Sequence, residues 1–131
     1  VLTDNTCGLG DETGTFSAEV QDVSSLDRIG ATIEVSYLGK PEERKILQNH
    51  STLNVDIING MLETAKLVRT AFKNQTVLST MSVRTLLSWA EKTEITGSLE
   101  MGLRLSLFDK LGTDDQVSIR ELYHQVFART L

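Results

Sequence analysis

Along most of the chain, apolar residues recur at spacings of three and four, the period of one buried face of an α-helix. From Asn54 to Asn74 that set is Ile58, Met61, Leu62, Ala65, Val68, Ala71 and Phe72, which predicts the longest helix. Ahead of it, "KPEERKILQ" (40–48) places Pro41 in a first-turn position with Glu42 and Glu43 behind it. A helix start favours that order, because proline gives up a donor that would be orphaned anyway and acids complement the positive end of the dipole. Ser82 precedes a third helix with Val83, Leu86, Leu87 and Ala90 inward, and Gly97-Ser98 breaks and restarts the chain into a fourth with Leu99, Leu103, Leu107 and Phe108 inward. Gly112 is expected to end that helix. Thr113, with Gln116 three residues on, has the spacing of a capping box for a last helix whose inward set is Val117, Leu122, Tyr123, Val126 and Phe127.

The first forty residues have a different rhythm. "VLTDNT" (1–6) reads as a buried strand with no polar lead-in, and "GLGDETG" (8–14) as a loop. "VQDVSSLDRIG" (20–30) reads as a short helical turn closed by Gly30. "ATIEVSYL" (31–38) alternates Ala31, Ile33, Val35 and Tyr37 with Thr32, Glu34 and Ser36, the two-residue period of a strand. The expected fold is mainly α with a small β part, a strand-containing piece over 1–38 followed by a helical bundle over 39–131. Two strands need partners to pair with. With no initiating methionine, the expectation is that those partners lie upstream in a longer protein.

Composition limits the functional classes. The chain has 131 residues, is 40% hydrophobic and 24% charged, and carries a formal net charge of -5 with no run of lysine or arginine. It can bury a modest core, and it offers no broad basic surface for nucleic acid or anionic lipid. One cysteine, Cys7, excludes an intramolecular disulfide. No stretch reads as a signal peptide or a membrane span, which points to a cytoplasmic protein.

Several candidate chemistries fail on spacing. The glycine loop lacks G-x-x-x-x-G-K-[ST], and Asp11 and Glu12 would repel phosphate. A calcium loop built on Asp4, Asn5, Asp11 and Glu12 falls out of register at Thr6 and Gly8. Nothing brings Cys7 to His50 or His124, and no zinc pattern exists. The sequons at Asn49 and Asn74 have no secretory context. A helix-turn-helix reader around Gly97 would place Glu91, Glu94 and Glu100 near the nucleic acid.

Three polar positions remain. Asn5 ends a presumed strand, at the sheet edge where α/β folds bind ligands. Arg28 stands in the "SLDRIG" turn beside Asp27. Arg84 lies just inside the helix that Ser82 starts, where the dipole favours acids rather than a cation. Guanidinium groups at turns and helix starts suit phosphate, since the fork matches its oxygens and the charge persists at any working pH. Each taken singly also reads as a surface arginine in a local ion pair.

Taken together, "NTCGLGDETG", "LDRIG" and "MSVRTLLSWAEKTEI" resemble the C-terminal half of AAA+ ATPases of the MoxR and chelatase group, in particular the CobS-type ATPase subunit of aerobic cobaltochelatase. Members carry a similar "ANTxGxGDxTG", an "MDRW"-like turn and "MSPRTxxxWAE". The resemblance implies a remnant of a P-loop α/β core over 1–38 and an α-helical lid over 39–131. It implies that Asn5 is sensor 1, orienting the attacking water, that Arg28 is the arginine finger reaching the nucleotide of an adjacent subunit, and that Arg84 is sensor 2, binding the nucleotide of its own subunit. ATP and Mg²⁺ would be the ligands of the full-length protein. Copies of the same chain would form a ring, hexameric by the resemblance, acting on chelatase partner subunits to drive cobalt into a corrinoid precursor, or on another client as a MoxR-like chaperone. Val83 stands where the group has proline, and the P-loop and the acidic Mg²⁺-binding strand are absent from these residues. The chain alone is therefore expected to be inactive. A non-enzymatic alternative is a helical interaction module docking through the exposed faces of helices 54–74 and 114–130.

Overall fold

The computed structural model describes residues 27–31 and 33–131. Five α-helices follow in order among them: α1 (Lys40–His50), α2 (Val55–Lys73), α3 (Val83–Thr96), α4 (Leu99–Ser106) and α5 (Thr113–Phe127), with a 3₁₀ turn at Phe108–Lys110 between the last two. Local chemistry sets most of the boundaries. Pro41, Glu42 and Glu43 occupy the first turn of α1. The side chains of Asn54, Ser82 and Ser98 cap α2, α3 and α4 by accepting from the backbone N–H groups of Asp56, Thr85 and Met101. At Gly97 the backbone turns left-handed, φ 69°, a conformation glycine adopts without steric cost, and α3 stops there.

The chain divides into two compact units, Val1–Ser36 and Tyr37–Leu131. In the first, Asp27 and Arg28 form an exposed turn. The strand expected over 31–38 does not form: no β-ladder is present among the described residues, and Ile33 and Val35 are 83% and 90% exposed. Alternation places apolar side chains on one face, but only a neighbouring strand and an opposing layer turn that face into a sheet. Tyr37, counted in that alternation, belongs instead to the helical unit, its hydroxyl 3.0 Å from Thr80 Oγ1.

In the helical unit the expected spacing is largely realised. Ile58, Met61, Leu62, Ala65 and Val68 of α2 are buried, with Leu86, Trp89 and Ala90 of α3, Leu99 and Leu103 of α4, and Leu107 and Phe108 beyond it. In α5 Tyr123 is fully buried as expected, but the inward face otherwise shifts: Val117 is 49% exposed, and Ile119, outside the expected set, is fully buried. The Thr113–Gln116 capping box is also absent. Gly112 takes the cap position, and Gln116 turns back to donate to the carbonyls of Phe108 and Leu111 at 3.2 Å. The intervening 3₁₀ turn, rather than a continuous helix to Gly112, presents those two carbonyls, and satisfying them outweighs the local cap. Asp115 of the first turn is buried and accepts from the N–H of Leu78 at 3.0 Å, tying α5 to the segment between α2 and α3.

Close approach of α3 and α4 depends on Gly102. A Cβ there would stand 2.9 Å from Thr93 N and 3.0 Å from Trp89 O, and would overlap Thr93 Oγ1. Backbone atoms cannot rotate away. Gly102→Ala is therefore expected to destabilise the chain by about 1–3 kcal/mol through overpacking, against the small gain alanine normally brings inside a helix. Urea unfolding followed by circular dichroism checks this. An unchanged midpoint would mean that the two helices separate freely.

Candidate functional site

Arg84 occupies the second position of α3, one residue after Val83. The start of the helix is built by Ser82, whose Oγ accepts from Thr85 N at 3.2 Å and lies 3.1 Å from Thr85 Oγ1. No acid stands in that first turn. Arg84 is exposed and, among the described residues, makes neither an ion pair nor a side-chain hydrogen bond. A guanidinium thus stands at the positive end of a helix with no carboxylate paired to it among the described residues. Such an arrangement favours an anion beside it.

Behind this helix start lies an ion pair that the spacing of residues did not single out. Arg69 of α2 donates from Nη1 and Nη2 to the two carboxylate oxygens of Glu43 in α1, at 3.0 and 2.9 Å, and from Nε to the carbonyl of Met81 at 2.6 Å. Its guanidinium carbon also sits 4.1 Å from the centre of the Tyr37 ring. The pair is largely removed from water, with the side chains 15% and 4% exposed. Glu43 carries the one sequence signal that could have pointed here, an acid on the same helical face as buried Leu47.

The other sequence-predicted positions belong to the first unit. Arg28 is exposed in the first unit, and no Asp27–Arg28 ion pair is present among the described residues. Asn5 lies outside the described residues, as do Cys7 and the glycine loop. An open groove of about 570 Å³ runs past Thr52, Leu53, Glu94, Gly97, Phe127 and Arg129. It sits at the far end of α3, some ten residues or about 15 Å from Arg84 along the helix axis. Its lining acid, Glu94, and Glu100, which pairs with the groove's Arg129, are both engaged internally. Thr52, through both its N–H and its hydroxyl, holds the Glu94 carboxyl below the usual carboxylate range. Burial works against ionisation of Glu100, but hydrogen bonds from its own N–H, Ser98, Tyr123 and Arg129 prevail and hold its carboxyl low as well. No group of three or more metal-ligating side chains occurs among the described residues, and no helix there is long and apolar enough to cross a membrane.

The family model for the CbbQ/NirQ/NorQ C-terminal region matches residues 43–129, more than half of the chain and nearly all of its helical unit. The chain belongs to that family. It is also similar to the aerobic cobaltochelatase subunit CobS of Sinorhizobium sp, with 28% identity over 131 residues, covering 95% of this chain and 40% of that protein. The chain thus spans two-fifths of the length of this curated relative. No solved structure matches it. The similarity to CobS agrees with the resemblance drawn from "NTCGLGDETG" and "MSVRT", and the family match takes in the second of these stretches.

Proposed function

We propose that this chain is the C-terminal part of a CobS-like AAA+ ATPase, with Tyr37–Leu131 as its helical lid and Arg84 as the lid arginine that binds the nucleotide of its own subunit. The observation that carries the reading is Arg84 itself, exposed without an ion-pair partner among the described residues at an acid-free helix start, in a chain of this family. A nucleotide triphosphate fits that position. The guanidinium can bridge two phosphate oxygens while the first-turn N–H groups face the same charge.

The remaining roles follow from the resemblance. Asn5 orients the attacking water as sensor 1. Arg28 reaches into the active site of an adjacent copy as the arginine finger. Charge on the transferring phosphoryl is stabilised chiefly by cations, which is the work the two arginines do. The Mg²⁺ ligands and the phosphate-cradling loop belong to parts of the protein outside these residues, so the hydrolytic activity is a property of the full-length ring. The free energy of hydrolysis then drives remodelling of a partner, with cobalt insertion into a corrinoid precursor as the reading that similarity to CobS supports.

Arg84→Ala in the full-length protein is expected to lower kcat/KM for ATP by about 10²-fold, the usual cost of one preorganised charge-stabilising donor. Because Arg84 is exposed, the thermal unfolding midpoint should hardly move. Steady-state hydrolysis by the variant decides it: a change of less than about threefold, small on the scale of mutational losses at such donors, would overturn the nucleotide reading and leave the helical interaction module in its place.

A further inference from the structure

We infer that Arg69 is a positioning residue for Arg84, fixing the start of α3 against the point where the helical unit joins the residues before it. The inference rests on the nucleotide reading of Arg84 above. Its starting point is how many separate segments one side chain holds. All three guanidinium nitrogens of Arg69 are engaged: two on the Glu43 carboxylate at 3.0 and 2.9 Å, and Nε on the carbonyl of Met81 at 2.6 Å. The Tyr37 ring covers the group at 4.1 Å, and the Tyr37 hydroxyl lies 3.0 Å from Thr80 Oγ1. A single cation therefore joins the first residue of the helical unit, α1, α2 and the Thr80-Met81 segment.

Met81 is the residue before the Ser82 cap, and Arg84 follows it by three positions. The carbonyl that Arg69 grips is thus the one immediately before the cap of the helix that carries Arg84. Met81 is fully buried, which leaves the segment little freedom to move except with the clamp. Shifting that carbonyl shifts the whole first turn of α3, because an α-helix moves as a rigid rod from its cap onward.

Stability alone does not account for such a pair. Removing two charges from water costs much of what their attraction returns, and apolar side chains of similar volume often serve a core as well or better. What a bidentate, stacked arginine does supply is a fixed geometry: a planar fork on a carboxylate, a third donor on one carbonyl, and a ring face defining the plane. Lysine keeps the charge and loses that geometry.

The test uses the full-length protein with Arg69→Lys, Arg84→Ala and the double variant, with kcat and KM for ATP measured alongside the thermal midpoint. Arg69→Lys is expected to lower kcat/KM about tenfold, less than the ~10²-fold that a 1 Å misplacement of a catalytic group can cost. In the Arg84→Ala background it should cause no further loss, since a residue that acts through Arg84 has nothing left to position. Losses that multiply across the double variant would assign Arg69 a general structural role and overturn the inference while leaving the Arg84 reading intact. If Arg84→Ala by itself leaves hydrolysis unchanged, the nucleotide reading fails and this inference falls with it. Should Arg69→Lys not fold, Tyr37→Leu carries the same test: Tyr37 is 48% exposed, so its replacement removes the stacking face without opening the core. It is expected to lower kcat/KM about threefold, again only when Arg84 is present.

Discussion

In the full-length protein, alanine at Arg28 is expected to lower kcat for ATP hydrolysis by about 10³-fold, the lower end of what an arginine finger supplies. The effect should fall on kcat, because the finger meets charge that grows on the phosphoryl group during transfer and contributes little to holding the ground state. Arg28 is exposed in a turn, so unfolding behaviour should be unaffected. On the proposed reading the finger acts in a neighbouring copy of a ring rather than in its own subunit, which gives a sharper measurement. Arg28→Ala subunits and Arg84→Ala subunits are each expected to be strongly impaired alone. Mixed into one ring, they create interfaces in which one subunit contributes Arg84 and its neighbour Arg28, and activity should return in part. Mixtures that stay as impaired would mean that both arginines serve the same subunit, and an active Arg28→Ala ring would remove the finger assignment altogether.

The largest effect on folding is expected at Trp89. It is the chain's one tryptophan, it is fully buried, and it packs on the rings of Tyr123 and Phe127, each with its centroid 6.3 Å away. Its indole N–H donates to the carbonyl of Leu99 at 2.9 Å, across the turn that joins α3 to α4. Trp89→Ala should cost about 3–5 kcal/mol, the sum of lost transfer energy and the cavity left among three helices. Trp89→Phe keeps most of the apolar area and loses the hydrogen bond, so about 1–2 kcal/mol is expected. The midpoint of urea unfolding, followed by far-UV circular dichroism because the fluorophore itself is removed, separates the two. A loss below about 1 kcal/mol for the alanine variant, ordinary for surface positions and for mild core changes, would mean that the α3, α4 and α5 contact is not the centre of the core.

The arrangement also explains why an arginine can stand at a position whose electrostatics favour acids. Repulsion between Arg84 and the helix dipole is a small local cost, a few tenths of a kcal/mol to about 1 kcal/mol, and the core beneath α3 is large enough to absorb it. Helix α3 is held by Leu86, Trp89 and Ala90 on its buried face and by the Ser82 cap at its start. In its first turn Arg84 stays exposed, and on the proposed reading it is there for the nucleotide.

Features decided within a few residues were legible in the sequence. Ser82 and Ser98 cap helices because their side-chain oxygens reach donors three residues away, and Gly97 ends α3 because its backbone needs no distant partner to turn left-handed. The inward stripe of α2 could be read for the same reason, since a period of 3.6 residues is a property of the helix alone. Family membership too was carried by contiguous residues, and the position of Arg84 in the first turn of its helix follows directly from Ser82. What spacing could not supply was any decision made by contact between distant segments. The alternation over 31–38 matched a strand, but whether it pairs depends on a neighbour. Thr113 and Gln116 had the right separation for a capping box, yet Gln116 found the carbonyls of Phe108 and Leu111 once a 3₁₀ turn had placed them within reach. Val117 and Ile119 were equally apolar, and only the packing of α5 against its neighbours chose Ile119 for the core. The clearest case is Arg69, whose partners Tyr37, Glu43 and Met81 come from three places in the chain. Short-range hydrogen bonding and helical periodicity are written into consecutive residues, whereas a buried charge acquires its partners only when the helices have packed.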